Sequence, residues 1–218
     1  MNEAVNRNIV ILPTKATEDS PSPFALAIAW SRAVAESFSV QFTLGTTDHL
    51  SHLSLYQAAY PQTSLRAVEE KVAEIAAQSH SFEVETRGFS TFWGTYVFWD
   101  MKKSPALTEL HLRCLQLLHP LREGLLPSQR QLLNDTSIDE SLRNNIRQYG
   151  HPLCGEDERP HITLSRLKDA ADAPRAIILL EERGAMSTCR FLVDRIYLAD
   201  VGPHGTCPGT LQEFRFGL

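Results

Sequence analysis

Hydrophobic residues recur along this chain with two different spacings, which predict a mixture of strands and helices. Alternation with polar residues, or a short apolar run between turn residues, predicts strands at residues 8–12, 39–44, 52–56, 82–84, 96–101, 161–167, 190–198 and 211–216. Apolar residues three or four positions apart predict helices at residues 24–38, 63–78, 105–121 and 170–182. Strand, helix and strand follow one another in both halves of the chain, which predicts an α+β protein.

The repeated order of elements predicts one domain made of two related lobes. We expect the lobes to cover approximately residues 1–124 and 150–218. Residues 125–149 are polar with helical patches, and we interpret them as a helical connecting insert. The order of elements leaves open which lobe each strand joins.

Composition and charge narrow the classes of partner. The chain has 218 residues, of which 43% are hydrophobic, so it is long enough to bury a sizeable core. Its net charge is −5 and its longest basic run is Lys102-Lys103, which argues against binding duplex DNA. A local pocket for one phosphate is compatible with this charge, and an acidic chain favours a small partner over a long RNA.

The cysteines and the apolar segments predict a cytoplasmic protein. The four cysteines are scattered, form no C-x-x-C pair and, even with His151 and His161 near Cys154, match no closed zinc pattern. The first apolar run is too short for a signal peptide, and no segment reaches the length of a membrane span. We therefore expect no metal and no membrane association. The chain contains no G-x-G-x-x-G and no P-loop, so we also expect no cofactor. We expect a monomer.

Two short segments each place a histidine and a hydroxyl residue on one face of a predicted strand. In HLSL, His52 shares a face with Ser54. In HITL, His161 shares a face with Thr163, because side chains alternate between the two faces of a strand. The apolar residues of both segments then face the core.

The occurrence of one such segment in each half of the chain is better evidence for a functional site than the triplet His-x-Ser/Thr itself. Roughly one such triplet is expected from an ordinary composition, and the chain contains four. His204 lies among glycines and prolines that disfavour a strand, and His49 would lie on the opposite face from His52. Only His52 and His161 open an alternating apolar strand, one in each half.

Two histidines on either side of a phosphodiester can cleave it without a metal ion. Their ordinary pKa of about 6.5 allows one ring to be neutral and the other protonated near neutral pH. The neutral ring can take a proton from the attacking water while the charged ring protonates the leaving oxygen. The neighbouring hydroxyl groups can donate hydrogen bonds to the non-bridging oxygens.

The chain resembles the two-histidine (2H) phosphoesterase superfamily. The resemblance lies in the segments HLSL and HITL and in the longer stretch YGHPLCGEDERPHITLSRL at residues 149–167. That superfamily includes the RNA 2′-5′ ligase-like proteins and cyclic phosphodiesterases. The resemblance implies two pseudo-symmetric lobes, each an antiparallel sheet with helices outside, and an active-site cleft between them. It implies catalytic roles for His52, Ser54, His161 and Thr163.

Two further residues are candidates for binding the substrate. Arg166 looks like an arginine that some members place near the phosphate. Strict alternation puts Arg166 on the face opposite His161, so this role requires the strand to end or bulge. Tyr56 continues the alternation of His52, so its ring either borders the cleft and stacks on a base or lies on the lobe surface.

The aromatic run at residues 89–99 has two readings. It is either a platform for a base or, for most of its length, core packing with Trp93 at a turn.

Three functions are compatible with these residues. The first is a metal-independent phosphodiesterase that acts on the 2′,3′-cyclic phosphate or the 2′-5′ or related bonds of a nucleotide or short oligonucleotide, which is the partner we expect. The second is a non-catalytic nucleotide or RNA-binding module that uses the same cleft. The third is an interaction protein that uses the fold as a scaffold. Retention of both histidines and both hydroxyl groups favours the enzyme, because binding alone does not need two titrating groups.

Overall fold

The structure is a computed structural model that describes residues 4–14, 16–17, 22–136, 138–183 and 188–217. These residues form eight strands: Val5–Ile11 (β1), Leu53–Tyr60 (β2), Phe82–Phe92 (β3), Tyr96–Met101 (β4), His161–Arg166 (β5), Arg190–Val193 (β6), Arg195–Asp200 (β7) and Thr210–Arg215 (β8). They also form six α-helices: Pro23–Ser37 (α1), Leu65–Ala77 (α2), Pro105–Leu118 (α3), Pro127–Leu133 (α4), Glu140–Tyr149 (α5) and Ala173–Arg183 (α6).

All strands belong to one antiparallel sheet with the order β6-β3-β4-β5-β2-β1-β7-β8. The sheet has two four-stranded halves, and β2 and β5 join them through one residue pair, Leu53 opposite Ile162. Each half therefore contains one of the two motif strands at its inner edge. The predicted α+β class and the antiparallel pairing are confirmed.

Four helices cover the sheet in two pairs, one pair for each half. Helices α1 and α6 pack against β3, β4 and β5, while α2 and α3 pack against β2, β7 and β8. Both α1 and α3 begin at a Ser-Pro pair, and the serine oxygen accepts a backbone N–H of the first turn. The core between helices and sheet includes Leu53 and Ile162, which are fully buried. The apolar positions of the two motifs thus hold both strands against the helices.

Two strand predictions are wrong at the edges of these halves. Residues 39–44 form no strand; Val40 makes an isolated bridge to Leu167, and the N–H of Gln41 donates to the carbonyl of Arg166 at 2.8 Å. The segment therefore crosses the end of β5 and does not run along it. Residues 190–198 form two strands instead of one, because the chain leaves the β3 edge after β6 and joins β1 as β7.

Candidate active site

The two histidine motifs meet at the centre of the sheet. Since β2 and β5 are antiparallel and pair at Leu53 and Ile162, the histidine of each motif lies beside the hydroxyl residue of the other. One cavity of ≈ 610 Å³ is lined by all four motif residues, His52, Ser54, His161 and Thr163. The structure therefore brings together residues that are more than a hundred positions apart in the sequence.

The same ring nitrogen, Nδ1, is hydrogen-bonded to a backbone carbonyl in both motif histidines. Nδ1 of His52 lies 2.9 Å from the carbonyl oxygen of Leu50, and Nδ1 of His161 lies 2.6 Å from that of Arg159. A carbonyl oxygen can only accept a hydrogen bond, so Nδ1 carries the proton in each neutral ring. The unprotonated Nε2 is then the atom that each ring offers to the cavity, where it can accept a proton.

Burial lowers the pKa of both motif histidines. It lowers the pKa of His161 to about 4, while the hydrogen bond to Arg159 and the charge of Asp100 act in the opposite direction. The pKa of His52 is also lowered by burial, against a smaller opposing effect of its bond to Leu50. Both rings are thus neutral at pH 7 until an anion enters, and a phosphodiester between them would raise both pKa values.

An aromatic side chain holds the ring of His161. The rings of Phe98 and His161 are stacked, with centroids 3.6 Å apart and an angle of 20° between the planes. Alternation along β4 divides the aromatic run between two faces. Phe98 and Tyr96 line the cavity, while Trp99 is fully buried and meets Trp30 edge-on at 4.4 Å. The run therefore divides between the cavity wall and the core.

A buried amide from β1 orients the hydroxyl of Ser54. Nδ2 of Asn8 donates to Oγ of Ser54 at 2.8 Å, and Asn8 is 2% exposed. Because Oγ accepts this bond, the hydroxyl proton of Ser54 is free to point toward a ligand in the cavity. Sequence reasoning missed Asn8, since an asparagine in a short apolar strand carries no motif.

A β-bulge at the last residue of each motif reverses the alternation. In β2 the register with β1 shifts at Leu55, between Ser54 and Tyr56. Tyr56 consequently points into the core, is 3% exposed and donates its hydroxyl to the carbonyl of Tyr149 at 2.6 Å. The prediction that Tyr56 borders the cleft is corrected: Gln57 lines the cavity at that point.

The equivalent bulge in β5 has the opposite consequence for Arg166. The register with β4 shifts at Leu164, so Arg166 returns to the face of His161 and lines the cavity. Its guanidinium lies 4.9 Å from the ring centroid of Tyr96 and donates to Nδ1 of His204 at 2.8 Å. The condition under which Arg166 could reach a phosphate is therefore met. His204 lies outside any strand, as its glycines and prolines predict, and is nevertheless part of the cavity wall.

The insert forms another wall of the cavity. Helix α4 and the turn after this helix contribute six residues to the cavity lining: Ser128, Gln129, Gln131, Leu132, Asn134 and Asp135. The loop after α5 adds His151, Pro152 and Leu153. No pattern in the sequence placed these residues near the motifs, because their position depends on how α4 and α5 fold back over the sheet.

The described residues contain neither a cluster of metal ligands nor a membrane-spanning helix. Among them, no group of three or more His, Cys, Asp or Glu side chains is arranged to hold a metal ion. No helix in the described part of the chain is long and apolar enough to cross a bilayer.

A family model matches most of the chain. The model of the 2′-5′ RNA ligase superfamily matches residues 30–204, a span that contains both histidine motifs. No curated protein matched the chain.

Several solved structures share the fold. TT0787 of Thermus thermophilus is 14% identical, with a TM-score of 0.58 over 97% of each chain. Escherichia coli LigT in complex with 3′-AMP is 14% identical, with a TM-score of 0.52 over 99% of each chain. A protein described as a phosphoesterase is 14% identical, with a TM-score of 0.55 over 99% of this chain and 100% of the other. At such identities the likeness is one of fold.

Proposed function

Because the chain belongs to the 2′-5′ RNA ligase superfamily, one branch of the 2H phosphoesterases, we propose that it hydrolyses phosphodiester bonds of nucleotides or short oligonucleotides without a metal ion. The bond is a 2′,3′-cyclic phosphate or a 2′-5′ or related linkage. Family membership supports an enzyme. The observation that carries this proposal is the pair of imidazole rings, each fixed through Nδ1, that offer Nε2 to one cavity.

Two proton transfers would accompany the attack of water on phosphorus. One neutral Nε2 takes a proton from the water as its oxygen bonds to phosphorus, and the protonated ring gives its Nε2 proton to the leaving ribose oxygen as that bond breaks. For a 2′,3′-cyclic phosphate the product is a phosphomonoester on one ribose hydroxyl. The hydroxyls of Ser54 and Thr163 would donate to the non-bridging oxygens, and Arg166 would add a positive charge nearby.

Two observations support a nucleotide as the substrate: the size of the cavity and the ligands of LigT, a protein of the same fold. A volume of ≈ 610 Å³ lies within the range of pockets for small ligands. LigT, which shares the fold, has been solved in complex with 3′-AMP, ATP and NADP⁺. Tyr96 and Trp93 also line the cavity, and rings of this kind stack on bases.

The test is hydrolysis of 2′,3′-cyclic nucleotides and 2′-5′ dinucleotides in the presence of excess chelator. Turnover of either class that survives chelation is expected. Binding of these compounds without product would instead support a non-catalytic nucleotide-binding module. Turnover that disappears with the chelator and returns with a divalent cation would contradict the metal-independent mechanism.

The pH dependence of kcat/KM should be bell-shaped with its maximum below pH 6.5. Both histidines have a pKa below 6.5 in the free protein, and the rate requires one protonated and one neutral ring. The rate should therefore fall as the pH rises above 6.5, because the protonated ring is lost. The profile of kcat should be displaced to higher pH, since the bound anion raises the same pKa values. A kcat/KM that stays constant from pH 5 to 8 would count against paired imidazoles.

The variant Asn8→Leu should lower kcat by about tenfold without loss of stability. The leucine has a similar shape but cannot donate to Ser54, so the hydroxyl is no longer oriented. Oδ1 of Asn8 is buried with no hydrogen-bond partner among the described residues, so removal of the amide also removes an unsatisfied group. The measurement is kcat together with the free energy of unfolding.

The matched control for Asn8 is the same substitution in a Ser54→Ala background. If Asn8 acts through Ser54, Asn8→Leu should have almost no effect on kcat there. An undiminished tenfold loss would show that Asn8 acts on the strand as a whole.

A further inference from the structure

A third histidine lines the cavity of the two motif histidines. His151 follows the C-terminus of α5, where Gly150 adopts a left-handed conformation (φ 75°) that ends the helix. The amide of Asn145 holds the loop after it: Nδ2 lies 2.9 Å from the carbonyl oxygen of Pro152 and 3.2 Å from that of Cys154. These hydrogen bonds from Asn145, a residue of the insert, thus fix the loop that follows His151.

The ring of His151 is hydrogen-bonded in the opposite sense to those of the motif histidines. The backbone N–H of Leu153 donates to Nδ1 of His151 at 3.3 Å. A backbone N–H can only donate, so Nδ1 is unprotonated and the neutral ring carries its proton on Nε2. The structure assigns no acceptor to this Nε2–H within the described residues, while the ring borders the cavity.

The surroundings of His151 keep its ring neutral. Burial, followed by the charges of the His111 and His161 rings, lowers the pKa of His151 to about 3. The ring therefore presents an Nε2–H donor over the whole range of pH in which the motif histidines titrate. It cannot act as a base through Nε2, because that atom already holds a proton.

We propose that His151 is a further active-site residue, which donates its Nε2–H to a non-bridging oxygen of the phosphate that His52 and His161 act on. This role rests on the function proposed above. Among the described lining residues, Arg166 is the one permanent cation, so hydrogen-bond donors must stabilise much of the charge that develops on phosphate. The neutral donors that this proposal places on the phosphate are the hydroxyls of Ser54 and Thr163 and the imidazole of His151.

Imidazole ¹⁵N NMR of the full chain tests the assignment without requiring turnover. At pH 7, His151 should be the Nε2–H tautomer, whereas His52 and His161 should be Nδ1–H tautomers. Titration with inorganic phosphate, and separately with 3′-AMP, should shift the Nε2–H resonance of His151 together with the rings of the other two. An Nδ1–H tautomer of His151, or a His151 resonance unmoved while the other two respond, would overturn the proposal.

Two substitutions separate a hydrogen-bonding role from a space-filling one. His151→Phe keeps a flat ring without a donor, and kcat for a 2′,3′-cyclic nucleotide should fall by about 10²-fold. His151→Gln puts an amide N–H near the position of Nε2, and it should recover kcat to within about tenfold of the natural chain. The same pair at His80, an exposed residue, is the control.

The outcomes distinguish this proposal from the proposed function. Equal kcat for His151→Phe and the natural chain would remove His151 from the site and leave the paired-histidine mechanism standing. No turnover by the natural chain, with all three rings responding to phosphate, would contradict hydrolysis and retain His151 as a phosphate ligand. No response of any ring to phosphate or 3′-AMP would contradict both.

Discussion

Replacement of either His52 or His161 with alanine should lower kcat by roughly 10²–10⁴-fold, the usual contribution of a general acid or base. Each ring offers Nε2 to the same cavity, and each would perform one of two proton transfers in a single reaction. KM should change less than kcat, because the hydroxyls of Ser54 and Thr163 and the guanidinium of Arg166, which also line the cavity, would still be available to bind the phosphate. The measurement is steady-state hydrolysis of a 2′,3′-cyclic nucleotide in excess chelator, with folding checked by circular dichroism.

The double variant and a control substitution at a neighbouring histidine make this test more specific. Because the two rings act on one transition state, the double variant should lose much less than the product of the single losses. His49 belongs to another His-x-Ser triplet, and its Nδ1 contacts the carbonyl of Thr43 at 3.3 Å, outside the cavity lining. His49→Ala should therefore retain kcat within a few-fold. Full activity in either single motif variant would refute the paired mechanism.

Acidification should destabilise the fold well before its carboxylates are protonated. The folded-state pKa is about 3 for His151 and about 4 for His161, against about 6.5 for an unfolded chain. Below pH 6.5 the unfolded chain binds protons that the folded chain does not, so the stability present above 6.5 is lost as the pH falls. Each group contributes about 1.4 kcal/mol per pH unit, or roughly 4 kcal/mol for the two together between pH 6.5 and 4.5.

Denaturant unfolding at pH 7.5, 6 and 5 measures this loss. A decrease of roughly 4 kcal/mol is a large part of the 5–15 kcal/mol typical of a domain. His161→Gln should reduce the slope of stability against pH by about one proton, while His80→Gln provides the exposed control. Bound phosphate should oppose the loss, since it favours the protonated rings in the folded state. Equal stability at pH 7.5 and 5 would contradict the burial of these rings in a neutral form.

The core of the candidate site could be predicted because it depends on local geometry. Side chains two positions apart on a strand share a face, so HLSL and HITL determine which atoms face a ligand before the strands are paired. The apolar positions between them, such as Leu53 and Ile162, fix which face is the core. The resemblance to the 2H phosphoesterases implies that the two segments meet, and they do so at β2 and β5.

Strict alternation stops being a guide at the last residue of each motif, where a bulge interrupts it. The bulges at Leu55 and Leu164 are invisible in the pattern of apolar residues, since a leucine fits either face equally well. They turn Tyr56 into the core and Arg166 toward the cavity, opposite to what strict alternation gives for each. Strand pairing, which depends on distant residues, decides where a bulge forms.

The sequence by itself determined the class of fold, the four motif residues and the chemistry that two imidazoles and two hydroxyls can perform, because residue type and strand period are local properties. Tertiary structure decided the rest of the site. It brought the insert over the cavity, set Asn8 against Ser54, and gave His151 the opposite hydrogen-bonding sense from His52. These arrangements depend on contacts between segments far apart in the chain, and no spacing within one segment encodes them.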